Sequence, residues 1–208
     1  MRGLLKEIDR IKKSSVKKKI DSRIKEFKSF QKGSSNDIFK ELCFCILTAN
    51  SNAERCIDVH SNVGNGFLNL TNAKLRDRLK ECGARFHTKR AGYISEARRY
   101  RNTLKYVMKH FKDETKRREW LVKNIKGIGH KEASHFLRNI GYHNYAIIDF
   151  HIIDVLAKYR VIRRPQKLNK DRYHKIEDKL KEVAEKAKLN LGELDLYLWY
   201  LETGKVLK

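Results

Sequence analysis

The stretch that decides the fold is EWLVKNIKGIGHKEASHFLRNIGYHNYAIIDFHIIDV, which spans residues 119–155. Apolar residues recur at helical spacing on both sides of Gly127 and Gly129, which flank a single apolar residue. This pattern predicts two helices joined by a Gly-X-Gly turn, a helical hairpin. A tight turn needs backbone angles that glycine adopts cheaply, and this one opens onto a helix N-terminus. The turn is therefore either a cradle for a phosphate or an ordinary capped turn.

The charge of the chain points to an anionic partner. Its 208 residues include 48 Lys and Arg against 25 Asp and Glu, a formal net charge of +23. Such an excess opposes compaction and is typical of proteins that bind nucleic acid. The alternative, an anionic membrane, is less well supported because the chain has no long apolar run and no apolar signal segment. We expect an intracellular monomer that binds nucleic acid and no membrane.

The four cysteines do not form a metal-binding pattern. They are Cys43, Cys45, Cys56 and Cys82, and no two of them make a C-x-x-C pair. Two of them lie in an apolar run, so we expect buried thiols in a reducing compartment.

The hairpin and the segment after it resemble the helix-hairpin-helix DNA glycosylase superfamily, of which endonuclease III is a member. The residues that match its motif are Gly127, Gly129, Lys131, Ala133, Asp149, His151 and Ile152. The resemblance implies that Lys131 attacks C1′ of a damaged nucleotide and forms a Schiff base, which permits strand cleavage by β-elimination. It also implies that Asp149 stabilises positive charge on the sugar. Asp149 is equally suited to cap the following helix, and both roles are compatible.

The resemblance further implies how the hairpin holds DNA. The backbone amides at Gly127 and Gly129 would bind a phosphate, and His151 would lie near another. For His151 the alternative is an ordinary histidine on a helix surface.

The same resemblance bears on cofactors. It implies a potassium or sodium ion held by the backbone carbonyls of Lys123, Ile125 and Ile128, which would bridge the turn to a phosphate. Many relatives of endonuclease III carry an iron–sulfur cluster on four cysteines that follow the catalytic region. Because no cysteine follows Cys82, we expect no such cluster here and no required cofactor.

Two further segments resemble the superfamily in the part that opens the duplex. Asn50 takes the place of a polar residue that enters the gap left by a flipped base, and its alternative role is helix capping. Arg85 and Phe86 lie where the family has a wedge beside the orphaned base. The alternative for Phe86 is packing beneath the next helix.

The length, the absence of an iron–sulfur cluster and the chain end resemble the compact archaeal 8-oxoguanine glycosylase subfamily. That resemblance places Trp199 and Lys208 in the base pocket. It implies a bifunctional enzyme that flips 8-oxoguanine out of double-stranded DNA, excises it and cleaves the strand. The alternatives are an endonuclease III-type enzyme for oxidised pyrimidines and a non-catalytic helix-hairpin-helix module that only grips DNA.

The helical periodicity, the single proline and the scarcity of glycine predict an all-α protein. We expect two helical subdomains with a DNA cleft between them. One is a six-helix unit over residues 35–143 that includes the hairpin, with one long helix over residues 89–112. The other combines residues 1–34 with residues 144–208, since chain ends often pack together.

Overall fold

The computed structural model describes all 208 residues, and its regular structure is helical throughout. Thirteen α-helices and two 3₁₀ helices follow one another with no β-strand between them, which confirms the predicted all-α class. None of these helices is both long enough and apolar enough to span a bilayer. The chain divides into two compact units, with Phe30–Phe136 in unit 2 and Met1–Ser29 plus Leu137–Lys208 in unit 1.

The α-helices, in chain order, are α1 (Arg2–Lys12), α2 (Val16–Ser29), α3 (Ser35–Thr48), α4 (Ala53–Val63), α5 (Gly66–Asn69), α6 (Asn72–Glu81), α7 (His87–Ala97), α8 (Leu104–His110), α9 (Glu114–Asn124), α10 (His130–Asn139), α11 (Phe150–Lys158), α12 (Lys170–Ala187) and α13 (Leu191–Thr203). The 3₁₀ helices are Phe30–Lys32 and Arg98–Tyr100.

The unit boundaries differ by a few residues from the predicted span 35–143. The segment before α3 belongs to unit 2 because the Lys105 ammonium donates a hydrogen bond of 2.7 Å to the carbonyl of Gly33. The segment after α10 belongs to unit 1, where the Gly192 amide donates to the carbonyl of His143 at 2.8 Å. Both differences come from hydrogen bonds between distant segments, which periodicity does not encode.

Unit 2 contains eight α-helices where six were predicted. The prediction of one long helix over residues 89–112 was also wrong. That segment is α7, a 3₁₀ turn and α8, and the short α5 is additional. At the break, the Arg98 guanidinium donates hydrogen bonds to the carbonyls of Gly66, Phe67 and Leu70 over 2.6–3.3 Å. The half-buried guanidinium of Arg98 therefore fixes α5 and the residue after it to the break.

Helix α3 is the centre of unit 2. It begins at a capping box in which Ser34 and Asp37 satisfy each other's backbone amides. Nearly all of its length is buried, and it contacts α4, α5, α7 and α8. Its buried apolar residues are Ile38, Phe39, Leu42, Cys43, Phe44, Cys45, Ile46 and Leu47.

Helix α13 has the same place in unit 1. Its capping box pairs Asn190 with Glu193, and it contacts α1, α2, α11 and α12. Its buried apolar residues pack with those of these four helices in the core of the unit. The side chains that follow α13 remain attached to this core, since Val206 packs against it.

Candidate functional site

The predicted helical hairpin is present in unit 2 and depends on Gly127. Its φ is +81°, a left-handed value that other residues rarely adopt. A Cβ on Gly127 would also lie 2.5 Å from the ring of Tyr93, so both conformation and space require glycine. Gly129 has no positive φ, and its nearest neighbour is a carboxylate oxygen of Glu132 at 3.1 Å from an ideal Cβ. Only the first glycine is thus needed for its backbone angles.

Side chains at both ends hold the hairpin closed. Nε2 of His130 lies 2.9 Å from the carboxylate of Glu119 on α9, which joins the two helices. Ile125 and Ile128 are buried, and the Ile125 carbonyl accepts the Ile128 amide at 3.3 Å. One lone pair of that carbonyl is left for another ligand, so a cation that uses the carbonyls of Lys123, Ile125 and Ile128 is compatible with the turn.

Lys131 lies in the first turn of α10, directly after the glycine turn. Its side chain is 23 % exposed, and its Nζ lies 3.0 Å from Oε1 of Glu132. The other carboxylate oxygen of Glu132 accepts the Gly129 amide at 3.2 Å. The sequence analysis assigned nothing to Glu132, although it stands beside Lys131 in the motif. The amine therefore has a carboxylate in direct contact.

Asp149 is the N-cap of α11, as predicted. Its Oδ1 accepts the Ile152 amide at 3.0 Å, which fixes the carboxylate at the helix end. Phe150, the first residue of the helix, is 62 % exposed. Its ring lies against that of His151, with 4.0 Å between the centroids.

In unit 1 the structure brings His151 and Trp199 together. Their ring centroids are 4.7 Å apart in an edge-to-face arrangement. The indole Nε1 of Trp199 is buried and has no hydrogen-bond partner. A buried donor without an acceptor costs stability, so this N–H is an unsatisfied polar group beside His151. Lys208 is half-buried.

Asn50, Arg85 and Phe86 meet at two neighbouring turns of unit 2. Asn50 and Phe86 both have left-handed backbones, with φ of 52° and 55°. Arg85 donates to the Asn50 carbonyl at 3.2 Å and lies 4.8 Å from the centre of the Phe86 ring. Phe86 is 48 % exposed, so it does not pack beneath a helix. Asn50 is not the N-cap of α4, because Asn52 holds that position.

The sequence analysis did not identify Arg90. Its buried side chain lies beneath these two turns and links them. It is 3 % exposed and donates to the Ala49 carbonyl at 2.5 Å and to Oγ of Ser51 at 2.9 Å. A cavity of about 450 Å³ opens beside the turns, and its lining includes Arg55, Arg85 and Arg90. Guanidinium groups suit the edges of bases and the oxygens of phosphates. Arg90 follows His87, Thr88 and Lys89 in a polar helix start, so the sequence carried no signal that this arginine is buried.

A buried ion pair of unit 1 is electrostatically coupled to Asp149. Arg138 pairs with Asp195, and both side chains are almost fully buried. Burial raises the pKa of Asp195 to about 6, and the negative charge of Asp149 adds to this effect. The positive charge of Arg138 acts in the opposite direction but does not outweigh burial. The pair therefore joins α10 to α13 close to the carboxylate that caps α11.

Comparison with known proteins gives a consistent result across the chain. The family model described as 8-oxoguanine DNA glycosylase matches residues 20–189. A relative from Methanocaldococcus jannaschii, named 8-oxoguanine DNA glycosylase/AP lyase, is 52 % identical over 206 residues and covers 99 % of both chains. A relative of the same name from Korarchaeum cryptofilum is 48 % identical, over 99 % of this chain and 98 % of its own.

Solved structures agree with these relatives. The M. jannaschii 8-oxoguanine glycosylase/lyase in complex with a 15mer DNA containing 8-oxoguanine matches with a TM-score of 0.95. It is 51 % identical to this chain and is covered over 99 % of both chains. The 8-oxoguanine DNA glycosylase of Thermotoga maritima matches with a TM-score of 0.92 and 42 % identity, over 100 % of this chain and 99 % of its own.

The buried pair makes a pH-dependent contribution that Asp195→Asn should remove. The folded-state pKa of about 6 lies above the ordinary aspartate pKa of 3.8, so the folded protein holds the proton more tightly. Relative to the variant, wild-type stability should be highest below about pH 4 and should fall by up to about 3 kcal/mol as the pH passes 6. Urea unfolding of both proteins from pH 4 to pH 7.5 measures this difference. A difference that does not change with pH would contradict the raised pKa.

Proposed function

The chain belongs to the 8-oxoguanine DNA glycosylase family, and we propose that it excises 8-oxoguanine from double-stranded DNA and cleaves the strand at the abasic site that remains. The observation that carries this proposal is the extent of the similarity to relatives of that name, which includes both chain ends as well as the hairpin. A module that only grips DNA needs the glycines but neither Lys131 nor Asp149.

Lys131 is the proposed nucleophile. Its neutral amine attacks C1′ of the damaged nucleotide, the C1′–N9 bond breaks, and the electron pair leaves with the base, which gains a proton. Opening of the sugar ring converts the amine adduct to an iminium. Loss of a proton from C2′ then expels the 3′ phosphate by β-elimination. The position of Lys131 in the first turn of α10, beside the glycine turn, supports this role.

Asp149 is the proposed stabiliser of positive charge on the sugar. Its carboxylate is held by the Ile152 amide at the start of α11, so it does not have to be ordered when the substrate binds. Capping and catalysis use the same rigid placement of one side chain.

The DNA backbone is held, in this proposal, by the hairpin amides at Gly127 and Gly129 and by His151. A helix N-terminus favours a phosphate because its free amides and its dipole are both positive. A potassium or sodium ion on the carbonyls of Lys123, Ile125 and Ile128 would supply one further positive charge for that phosphate. No iron–sulfur cluster or other cofactor is required.

Asn50, Arg85 and Phe86 are the proposed residues that replace the flipped base in the duplex. The exposed ring of Phe86 can stack on an unpaired base, while Arg85 and Asn50 offer hydrogen bonds. The protein acts on duplex DNA with a damaged base, as a monomer, inside the cell and without a membrane partner.

Trp199 and Lys208 are the proposed base pocket. 8-Oxoguanine differs from guanine by a hydrogen on N7 and an oxygen on C8. The ammonium of Lys208 can donate a hydrogen bond to the oxygen on C8. The indole ring offers a stacking face and a buried N–H with no protein partner.

Borohydride trapping tests the proposed activity. Duplexes that contain 8-oxoguanine, thymine glycol, uracil or an abasic site are each incubated with the protein and the reductant. We expect a covalent adduct with 8-oxoguanine and with the abasic site. An adduct with thymine glycol alone among the damaged bases would identify an enzyme for oxidised pyrimidines. No adduct with any duplex would identify a DNA-binding module.

In the same assay Lys131→Gln should abolish the adduct and strand cleavage but leave duplex binding, because glutamine cannot form a Schiff base. Lys126→Gln is a matched control. It removes a second lysine of the hairpin, whose ammonium pairs with Glu96 at 2.9 Å, and should retain trapping. Retention of the adduct by Lys131→Gln would remove Lys131 from the mechanism.

Asp149→Asn separates capping from catalysis. Asparagine caps a helix as well as aspartate does, so thermal stability should stay near that of the wild type. Base release in single turnover should slow by about 100-fold or more, because the negative charge is lost. Asp154→Asn, which removes a carboxylate of the same helix paired with Arg164, is the control and should keep the normal rate. A normal rate in Asp149→Asn would limit the residue to capping.

Two variants of the chain end test the base pocket. Deletion of Lys208 removes the whole residue, and Lys208→Ala removes only the side chain with its ammonium. We expect the deletion to reduce the preference for 8-oxoguanine over guanine by about tenfold, since one hydrogen bond in a buried site is lost. Comparison of excision rates on the two duplexes gives the preference. Unchanged selectivity in both variants would place the pocket elsewhere.

A further inference from the structure

The carboxylate of Glu132 occupies an unusual position between the glycine turn and the Lys131 amine. One oxygen accepts the Gly129 amide at 3.2 Å, and the other lies 3.0 Å from Nζ of Lys131. The Glu132 side chain is 13 % exposed and that of Lys131 is 23 % exposed. The contact is therefore largely shielded from water, unlike most lysine–glutamate pairs of this surface.

Neighbouring residues on a helix do not ordinarily touch through their side chains, because they point about 100° apart. Glu132 reaches Lys131 because its side chain curls back toward the helix start to accept the Gly129 amide. That backward reach is half of a capping box. Capping accounts for one carboxylate oxygen, and the other remains for the amine.

The amine needs a proton acceptor before it can attack C1′, since an ammonium has no lone pair. Within unit 2, the other titratable groups near Lys131 are less suited to this task. Cys56 is close enough to feel the charge of Lys131, but burial raises the pKa of its thiol, so it stays protonated. His130 is paired with Glu119 on α9. Glu132 is the carboxylate that Lys131 directly contacts.

We propose that Glu132 accepts the proton of the Lys131 ammonium and so prepares the amine for attack. This inference rests on the proposed Schiff-base function. In the step, the N–H bond of the ammonium breaks, its electron pair stays on nitrogen, and the proton forms an O–H bond on the Glu132 oxygen. The nitrogen lone pair then forms the bond to C1′. The second Glu132 oxygen keeps its bond to Gly129 throughout, so the carboxyl group does not move.

Glu132→Gln is the informative variant because its amide oxygen can still accept the Gly129 amide but cannot take a proton. The assay is trapping on an abasic duplex with cyanoborohydride between pH 6 and pH 9, which needs a neutral amine and does not depend on the damaged base. We expect the variant to be about 100-fold slower than the wild type at pH 6.5, in line with the loss of a proton acceptor. The ratio of wild-type to variant rate should shrink by about tenfold per pH unit as hydroxide replaces Glu132.

Glu96→Gln is the matched control, since it removes the carboxylate from another lysine–glutamate pair of unit 2. It should trap at the wild-type rate at every pH. Thermal unfolding should place Glu132→Gln within a few degrees of the wild type, because the cap is retained.

Three results would overturn the inference. A Glu132→Gln rate equal to the wild-type rate would remove Glu132 from proton transfer. A loss that is the same at every pH would assign it a structural role only. If the trapping rate recovered at high pH in Asp149→Asn but not in Glu132→Gln, Asp149 rather than Glu132 would be the proton acceptor. Failure of the proposed function looks different, because the wild type itself would then give no adduct.

Discussion

The left-handed turn at Gly127 is the constraint on which the hairpin depends. Its positive φ and the contact of Tyr93 with the space where a Cβ would stand leave no room for another residue. That turn sets where α10 begins, and the beginning of α10 sets where Lys131 and Glu132 stand. Insertion or deletion of one residue in the turn would shift the helix register, and it would rotate both side chains by about 100° around the helix axis. The chemistry of the amine is therefore tied to one backbone angle.

Each unit is organised around one buried helix, and one candidate residue lies on or just after each of these helices. The two helices, α3 and α13, both start at a capping box and contact four neighbours. Asn50 follows directly after the end of α3, and Trp199 lies on α13. Side chains that extend from well-packed helices keep their geometry more closely than side chains on loops do. Trp199 therefore stands on a helix whose position is fixed by the packing of unit 1.

Most of the helices could be predicted from the sequence because they depend on local spacing, whereas the roles of the candidate site residues were inferred from the family resemblance. The hairpin, the N-cap at Asp149 and the all-α class follow from patterns within a few turns. Arg90 and Arg98 could not be found in this way, because their side chains bind backbone carbonyls 28 to 41 residues away. The contacts of Glu132 are with residues close to it in the sequence, but its role depends on a side-chain conformation that spacing alone does not specify. The observed unit boundaries differ from the predicted ones for the same reason, because they too depend on hydrogen bonds between segments that are distant in the sequence.

The left-handed backbones of Asn50 and Phe86 have a consequence for how this protein can evolve. A residue with a side chain costs about 1 kcal/mol or more in that conformation, whereas glycine adopts it freely. Glycine at either position would therefore relieve this cost while it deletes a side chain that we propose contacts the duplex. Selection for heat resistance alone would favour the exchange, and selection for repair would oppose it. At these two turns, thermal stability and activity place opposite requirements on the same residue.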